Sequence, residues 1–206
     1  MTFKRKSWRV VIMLLALSWM MGGRGVAARE VVPLEYEVKA AYLFNFGKFV
    51  SWPAGGFSAS NAPLVIGVWG GNPFHEDLRN MVAGKRIAGH PVEFRVLTST
   101  DEAKDCQILF VSQAAQKDAS AIFAALHGAS VLTVTENLPH FAGSSFAINL
   151  VMSADSIRFQ INNPAAEHAG LTISSKLRSL SLPPNPRIMF LRSIKHKLLQ
   201  ATIVSS

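Results

Sequence analysis

Six histidines, one cysteine and a pair of adjacent glycines are the residues of this sequence with the most chemistry to offer. His75, His90, His127, His140, His168 and His196 are scattered along the chain. A tetrahedral metal site draws its imidazole and thiolate ligands from short, recurring spacings. No two of these histidines have such a spacing with a third ligand beside them, and Cys106 alone cannot build a thiolate site. Ser144 and Ser145 follow Gly143 without the G-x-S-x-G elbow of a serine hydrolase. No pair of carboxylates stands out for acid–base work. The most enzyme-like stretch is "GVWGGNP", residues 67–73. Backbone amides at a strand-to-helix turn can hold an anion. This one lacks both the lysine of a nucleoside-triphosphate loop and the G-x-G-x-x-G spacing of a dinucleotide site. It reads as a tight turn in which small residues let the chain pass. The residues therefore point to a binding or regulatory protein rather than an enzyme, with no cofactor and no metal.

The elements around that turn can be read from periodicity. "PLVIGVWG" (63–70) is a short apolar strand, and "NPFHEDLRNMVAG" (72–84) a helix with Asn72 as N-cap and Pro73 at its first position. "HPVEFRVL" (90–97) alternates like a strand. "CQILFVS" (106–112) is a buried strand, "AQKDASAIFAALHG" (115–128) a helix closed by Gly128, and "SVLTVTE" (130–136) a fourth strand. Short, continuous apolar runs suit strands covered on both faces. Later the pattern changes. "SFAINLVM" and "SIRFQIN" alternate on either side of "SAD" (153–155), which predicts an antiparallel hairpin. Asn163-Pro164 opens a helix ended at Gly170, and "LTISSKLRSL" predicts a short strand and a last helix capped by Ser174 or Ser175. Before all of these, "VKAAYLFNFGKFVSWP" (38–53) predicts an amphipathic helix with Val38, Tyr42, Phe46 and Phe49 on its apolar arc, widened by Leu43 and Val50. Lys48 and Ser51 fall opposite, and Pro53 ends it. Phe44 lies toward the polar side, as either local packing or an exposed aromatic at an interface. The expected fold is α/β: a single domain with a mixed β-sheet and helices packed on it, a parallel-type first half and a C-terminal antiparallel hairpin.

The ends of the chain set its compartment. Lys4, Arg5, Lys6 and Arg9 precede the apolar run "VVIMLLALSWMM" and the small residues "VAA" (26–28), which predicts a cleavable signal peptide over 1–28. The chain carries 21 Lys+Arg against 13 Asp+Glu. Five of those cations lie in 1–28 and four lie after Leu182, so residues 29–182 hold 12 cations and 13 anions. A nucleic-acid binder needs phosphate contacts clustered on its folded surface, so that class is excluded. With one cysteine no intramolecular disulfide forms, and Cys106 at the head of an apolar strand reads as a small buried hydrophobe.

Taken in order, "VKAAYLFNFGKFVSWP", "PLVIGVWGGNPF", "CQILFVS", "VLTVTE", "SIRFQIN" and "AGLTISSKLRSL" resemble the YfiR family of periplasmic regulators over roughly residues 38–180. The resemblance implies an α/β fold without catalytic activity. It also implies two partners: a YfiN-type inner-membrane diguanylate cyclase, which such proteins repress, and a YfiB-type outer-membrane lipoprotein, which sequesters the repressor. The output would be the level of cyclic di-GMP, and with it biofilm growth. The single cysteine departs from the disulfides that the family uses. The domain is expected over 29–182, followed by a basic extension over 183–206 that "PPNP" sets off as a linker; it reads as a partner-facing or membrane-surface helix, too short to span.

The resemblance, with the pattern of charges flanking apolar runs, directs partner binding to two surfaces. One is Phe44. The other is the C-terminal module of Arg158, Glu167, Leu171, Lys176 and Arg178, in which Leu171, after the Gly170 break, is either an exposed anchor or a core residue. A homodimer is a further class of partner. The rival function is a periplasmic small-molecule sensor, with its ligand at the carboxyl ends of the strands near residues 70–74.

Overall fold

The computed structural model describes residues 34–183. The expected signal peptide, and all of the extension 183–206 but Pro183, lie outside them. The first element, α1 (Leu34–Phe49), runs directly into β1 (Val50–Ser51). Then follow β2 (Leu64–Trp69), α2 (Asp77–Val82), β3 (Arg86–Ile87) and β4 (His90–Val96). The middle of the chain supplies β5 (Ile108–Val111), α3 (Ala119–Ala125) and β6 (Leu132–Glu136). The last part supplies β7 (Ile148–Ser153), β8 (Ser156–Ile161), α4 (Asn163–His168), β9 (Thr172–Ile173) and α5 (Ser175–Leu180).

Seven strands form one mixed sheet in the order β3-β4-β2-β5-β6-β7-β8, and β1 pairs with β9 in a separate two-stranded ribbon. From β4 to β7 every pair is parallel; β3 and β8 close the two edges antiparallel. The expected α/β domain, parallel first and antiparallel last, is therefore what forms. Side-chain alternation on β5 explains how both faces are buried. Ile108 and Phe110 join the core under α1 and α2, whereas Leu109 and Val111 join a second core with Ile122 and Leu126 near α3. A parallel sheet with helices on both faces needs such two-sided apolar strands.

Local chemistry sets the corners. Ala154 and Asp155 both have positive φ, 42° and 54°, so the β7–β8 hairpin turns on two residues. That geometry is the primed turn whose twist matches the strands. The Ser174 hydroxyl accepts from the Leu177 amide and caps α5, as expected. The outer edge of β8 is covered in part: the Tyr42 hydroxyl donates to the Ile157 carbonyl, and the Leu182 amide to that of Phe159. Capping exposed carbonyls in this way limits pairing with another chain.

Three expectations are corrected. Helix α1 ends at Phe49, four residues before Pro53, because Val50 and Ser51 are drawn into register with Ile173 and Thr172. Helix α2 begins at Asp77 rather than at 72. There the Asn72 carboxamide accepts from the Phe74 amide and donates to the His75 carbonyl, and His75 takes a φ of 47°. This local turn competes with helix, as Asn side chains do. The stretch 115–128 is helical only over Ala119–Ala125, after a 3-10 segment at Gln113–Asp118.

Candidate functional site

The place where this topology would hold a ligand is the crevice at the carboxyl ends of β2 and β5, because the chain turns from β2 to opposite sides there. That crevice is laced together by the chain itself. The Ser112 amide donates to the Trp69 carbonyl at 3.0 Å and the Ser112 hydroxyl to the Gly70 carbonyl at 2.8 Å. The Trp69 indole donates to Asp118 at 3.1 Å. Gly70 has φ +92°, and a Cβ there would fall 2.2 Å from the Ala115 methyl. The glycine pair is thus used for close approach within the fold. Phe74 is fully buried, its ring edge-on to Tyr36 and Phe110 at 5.5 and 5.0 Å.

Beside it lies a cluster that the sequence reading missed. Lys39, on α1, is only 1% exposed and forms ion pairs with Glu35, one turn earlier, and with Glu136 at the end of β6. The second Glu136 oxygen accepts from the Gln113 amide at 3.0 Å and the Tyr36 hydroxyl at 3.3 Å. The Lys39 ammonium also sits 4.5 Å over the Tyr36 ring. Burial by itself would lower the Lys39 pKa, but its hydrogen bonds to Glu136 and Glu35 outweigh this and hold it above the ordinary value. Burial, then the negative Glu136, pushes the Tyr36 phenol up. A protonated lysine with both partners engaged is neither base nor nucleophile. It ties α1 to the sheet. Cys106, just before β5, is likewise withdrawn from chemistry: burial pushes its thiol up to about 12. Thiol reactivity needs the thiolate, which is disfavoured there. Among the described residues no group of three or more His, Cys, Asp and Glu is placed to hold a metal.

The residues singled out for partner binding fall into three situations. Phe44 is half-buried, packed against the main core on one side and flanked by the ammonium groups of Lys48 and Lys85, 4.4 and 5.7 Å from its ring centre. Arg158, Glu167, Lys176 and Arg178 are exposed. Glu167 accepts from the Asn163 side chain, and the Lys176 ammonium lies 5.8 Å over Phe49, so α5 meets the end of α1. Leu171 is a correction. It is 2% exposed and belongs to the main core with Ile173 and Leu177. The Gly170 break, at φ +73°, turns the chain inward, and β9 then pairs with β1. Leu171 holds the module; it does not project from it.

In this two-sided α/β domain the strand-end crevice is crossed by the chain's own hydrogen bonds, and the buried Lys39 and Glu136 are spent on one another. The chain belongs to the YfiR/HmsC-like family, whose model matches residues 36–181. Membership associates it with periplasmic regulation of cyclic di-GMP signalling rather than with catalysis. No curated protein matched the sequence. Among the described residues no helix is long and apolar enough to cross a membrane.

Proposed function

We propose that this protein is a periplasmic repressor, exported by cleavage of residues 1–28, that binds the periplasmic region of a YfiN-type diguanylate cyclase and lowers cyclic di-GMP. A YfiB-type lipoprotein would relieve this by sequestering the repressor. The observation that carries the reading is membership of the YfiR/HmsC-like family over the whole folded domain. The Gly70 and Phe74 side of the strand-end crevice is occupied by contacts within the fold, with Ser112 bonded to Gly70 and Phe74 packed on Phe110, which agrees with it. Partner contact is assigned to Phe44, Arg158, Glu167, Lys176 and Arg178, a mixture of one aromatic and several charges such as interface cores and rims contain. Leu171, named with them from the sequence, is buried in the main core and is not assigned to the contact.

The test is cellular cyclic di-GMP with a YfiN-type cyclase expressed alone, or beside this protein in its wild-type or variant form. The wild type should lower the level, and Arg158→Glu and Arg178→Glu, as two separate variants, should each restore it. Circular dichroism should show both variants folded, since neither side chain is buried. No drop with the wild type would sink the repressor reading. A drop that both variants retain would remove the C-terminal module from the interface.

A further inference from the structure

Helix α1 presents an outward stripe to solvent. Phe44 and Phe49 are five residues apart, so they stand about 140° apart around the axis. Lys48 and Asn45 fall between them. Both rings are half-buried against the main core, so they are held in place. Each also carries a lysine: Lys48 and Lys85 at Phe44, and Lys176 from α5 at Phe49. None of these three ammonium groups has a carboxylate within ion-pair distance among the described residues. Ion pairs are few among the described cations, Arg79 with Glu76 at 3.1 Å and Arg95 with Glu93 at 2.8 Å beside those of Lys39; what sets Lys48, Lys85 and Lys176 apart is that each lies over a ring of this one stripe. Lys48 has one partner, the Asn45 carboxamide at 3.0 Å, although an ammonium carries three donors. Residues 29–182 hold 12 cations and 13 anions, so the excess positive charge on this stripe is local.

Resting on the reading of this chain as a partner-binding regulator, we propose that the outward face of the second half of α1 docks an acidic segment of a protein partner. That segment carries an apolar side chain between carboxylates. The apolar side chain would lie between Phe44 and Phe49, over Asn45, and the carboxylates would take the open donors of Lys48, Lys85 and Lys176. Rigid aromatic anchors ringed by charge are what concentrates binding energy in an interface. An anionic bilayer fits less well. Three lysines are fewer than the clusters that hold a protein to such a surface, and the exposed Glu37 lies two turns before Phe44 on nearly the same side of α1, where it opposes a negative plane.

The experiment is a nuclear magnetic resonance titration of the isotope-labelled exported protein, residues 29–206, with three probes. They are the capped peptide Asp-Glu-Leu-Phe-Glu-Asp, its amide analogue Asn-Gln-Leu-Phe-Gln-Asn, and phosphatidylcholine vesicles containing phosphatidylglycerol. The acidic peptide should shift amides at Phe44, Asn45, Lys48, Phe49, Lys85 and Lys176, and the amide analogue should bind at least about tenfold more weakly. Lys48→Gln with Lys85→Gln should cost about tenfold for the acidic peptide while the rest of the spectrum is unchanged. Shifts centred elsewhere, equal affinity for the two peptides, or no binding of the acidic one would overturn the proposal. So would vesicle binding that Lys48→Gln and Lys85→Gln abolish while the peptide does not bind. No cyclase takes part in this titration, so it can fail while repression holds, or hold while repression fails.

Discussion

Helix α1 carries two lysines nine residues apart, and the fold treats them in opposite ways. Lys39 is sealed between α1 and the end of β6, with its charge divided between Glu35 and Glu136. Lys48 stands in solvent beside the Phe44 ring, with a carboxamide as its nearest polar partner. A buried charge is tolerated only when it is paired and hydrogen-bonded, so Lys39 has nothing left to offer a partner. An exposed charge keeps its hydration at little cost and stays available. The inner end of the helix is therefore occupied with holding the fold, and the outer stripe is where recognition has room to occur. The strand ends repeat the lesson: Gly70, Ser112 and Trp69 spend their polar groups on each other.

The largest effect should come from breaking the inner pair. Lys39→Ala leaves Glu136 buried, 3% exposed at its side chain, with its cation gone. Removing one member of a buried pair costs about 3–5 kcal/mol, which is a large share of a domain's total stability. Urea unfolding should show the midpoint falling steeply, with Lys39→Met combined with Glu136→Gln recovering much of the loss. If Lys39→Ala were to melt like the wild type, the ion pair would be incidental to the fold and the contrast within α1 would disappear.

Alkali should attack the same inner cluster. The folded pKa of Lys39 lies above its ordinary 10.5, and that of Tyr36 above its ordinary 10.0. For a group whose folded value is raised, the stabilisation is complete below the unfolded value and is lost as pH rises through the folded one. Cys106 follows the same sign, from an ordinary 9.0 to about 12, because the fold favours the neutral thiol. Stability should thus decline from about pH 9 upward, with the thiol contributing first and the Lys39 cluster later. Thermal melts across that range should show a shallower decline for Cys106→Ala at its lower end and for Lys39→Met above pH 10.5. An identical decline in both variants would mean that other groups set the alkaline limit.

What was readable and what was not comes down to distance along the chain. The strands were legible because "LVIGVW" and "ILFV" are apolar throughout and "SIRFQI" alternates. Those patterns need no knowledge of partners. The Ser174 cap and the closing Gly128 and Gly170, both at positive φ, are equally local. The buried arc of α1 was not. Periodicity places Val38, Tyr42, Phe46 and Phe49 inside with Leu43 and Val50 at the margin; Leu43, Phe46 and Val50 are indeed buried, but the helix also buries Lys39, Ala40 and Gly47 while Val38 is exposed, so the arc is turned toward Lys39 and Gly47. Lys39 is inside because Glu136, 97 residues away, meets it. Gly47 is inside because the helix there runs close to the sheet: a Cβ would stand 2.9 Å from Ile87. Neither partner is visible in a helical wheel. Leu171 fails for the related reason that its burial depends on the β1–β9 pairing, which joins residues 50–51 to 172–173.

The smallest expected effect is the one that most sharpens the contrast. Lys48→Gln and Lys85→Gln each remove a charge without a carboxylate partner among the described residues, and each keeps much of the length of the side chain. Exposed substitutions away from caps and ion pairs change stability by about 0.5 kcal/mol or less. What is lost at Phe44 is a cation–aromatic contact in solvent, about 0.5–1 kcal/mol at such sites, partly offset by amide packing on the ring. Each single variant should therefore unfold within about 1 kcal/mol of wild type, and since the two lysines share one ring their effects should not simply add. A double-mutant cycle by urea unfolding, through Lys48→Gln, Lys85→Gln and the variant carrying both, measures that coupling. A loss from Lys48→Gln as large as that from Lys39→Ala would show the outer lysine to be structural, and the outward stripe of α1 would then have no claim to be a surface kept free for a partner.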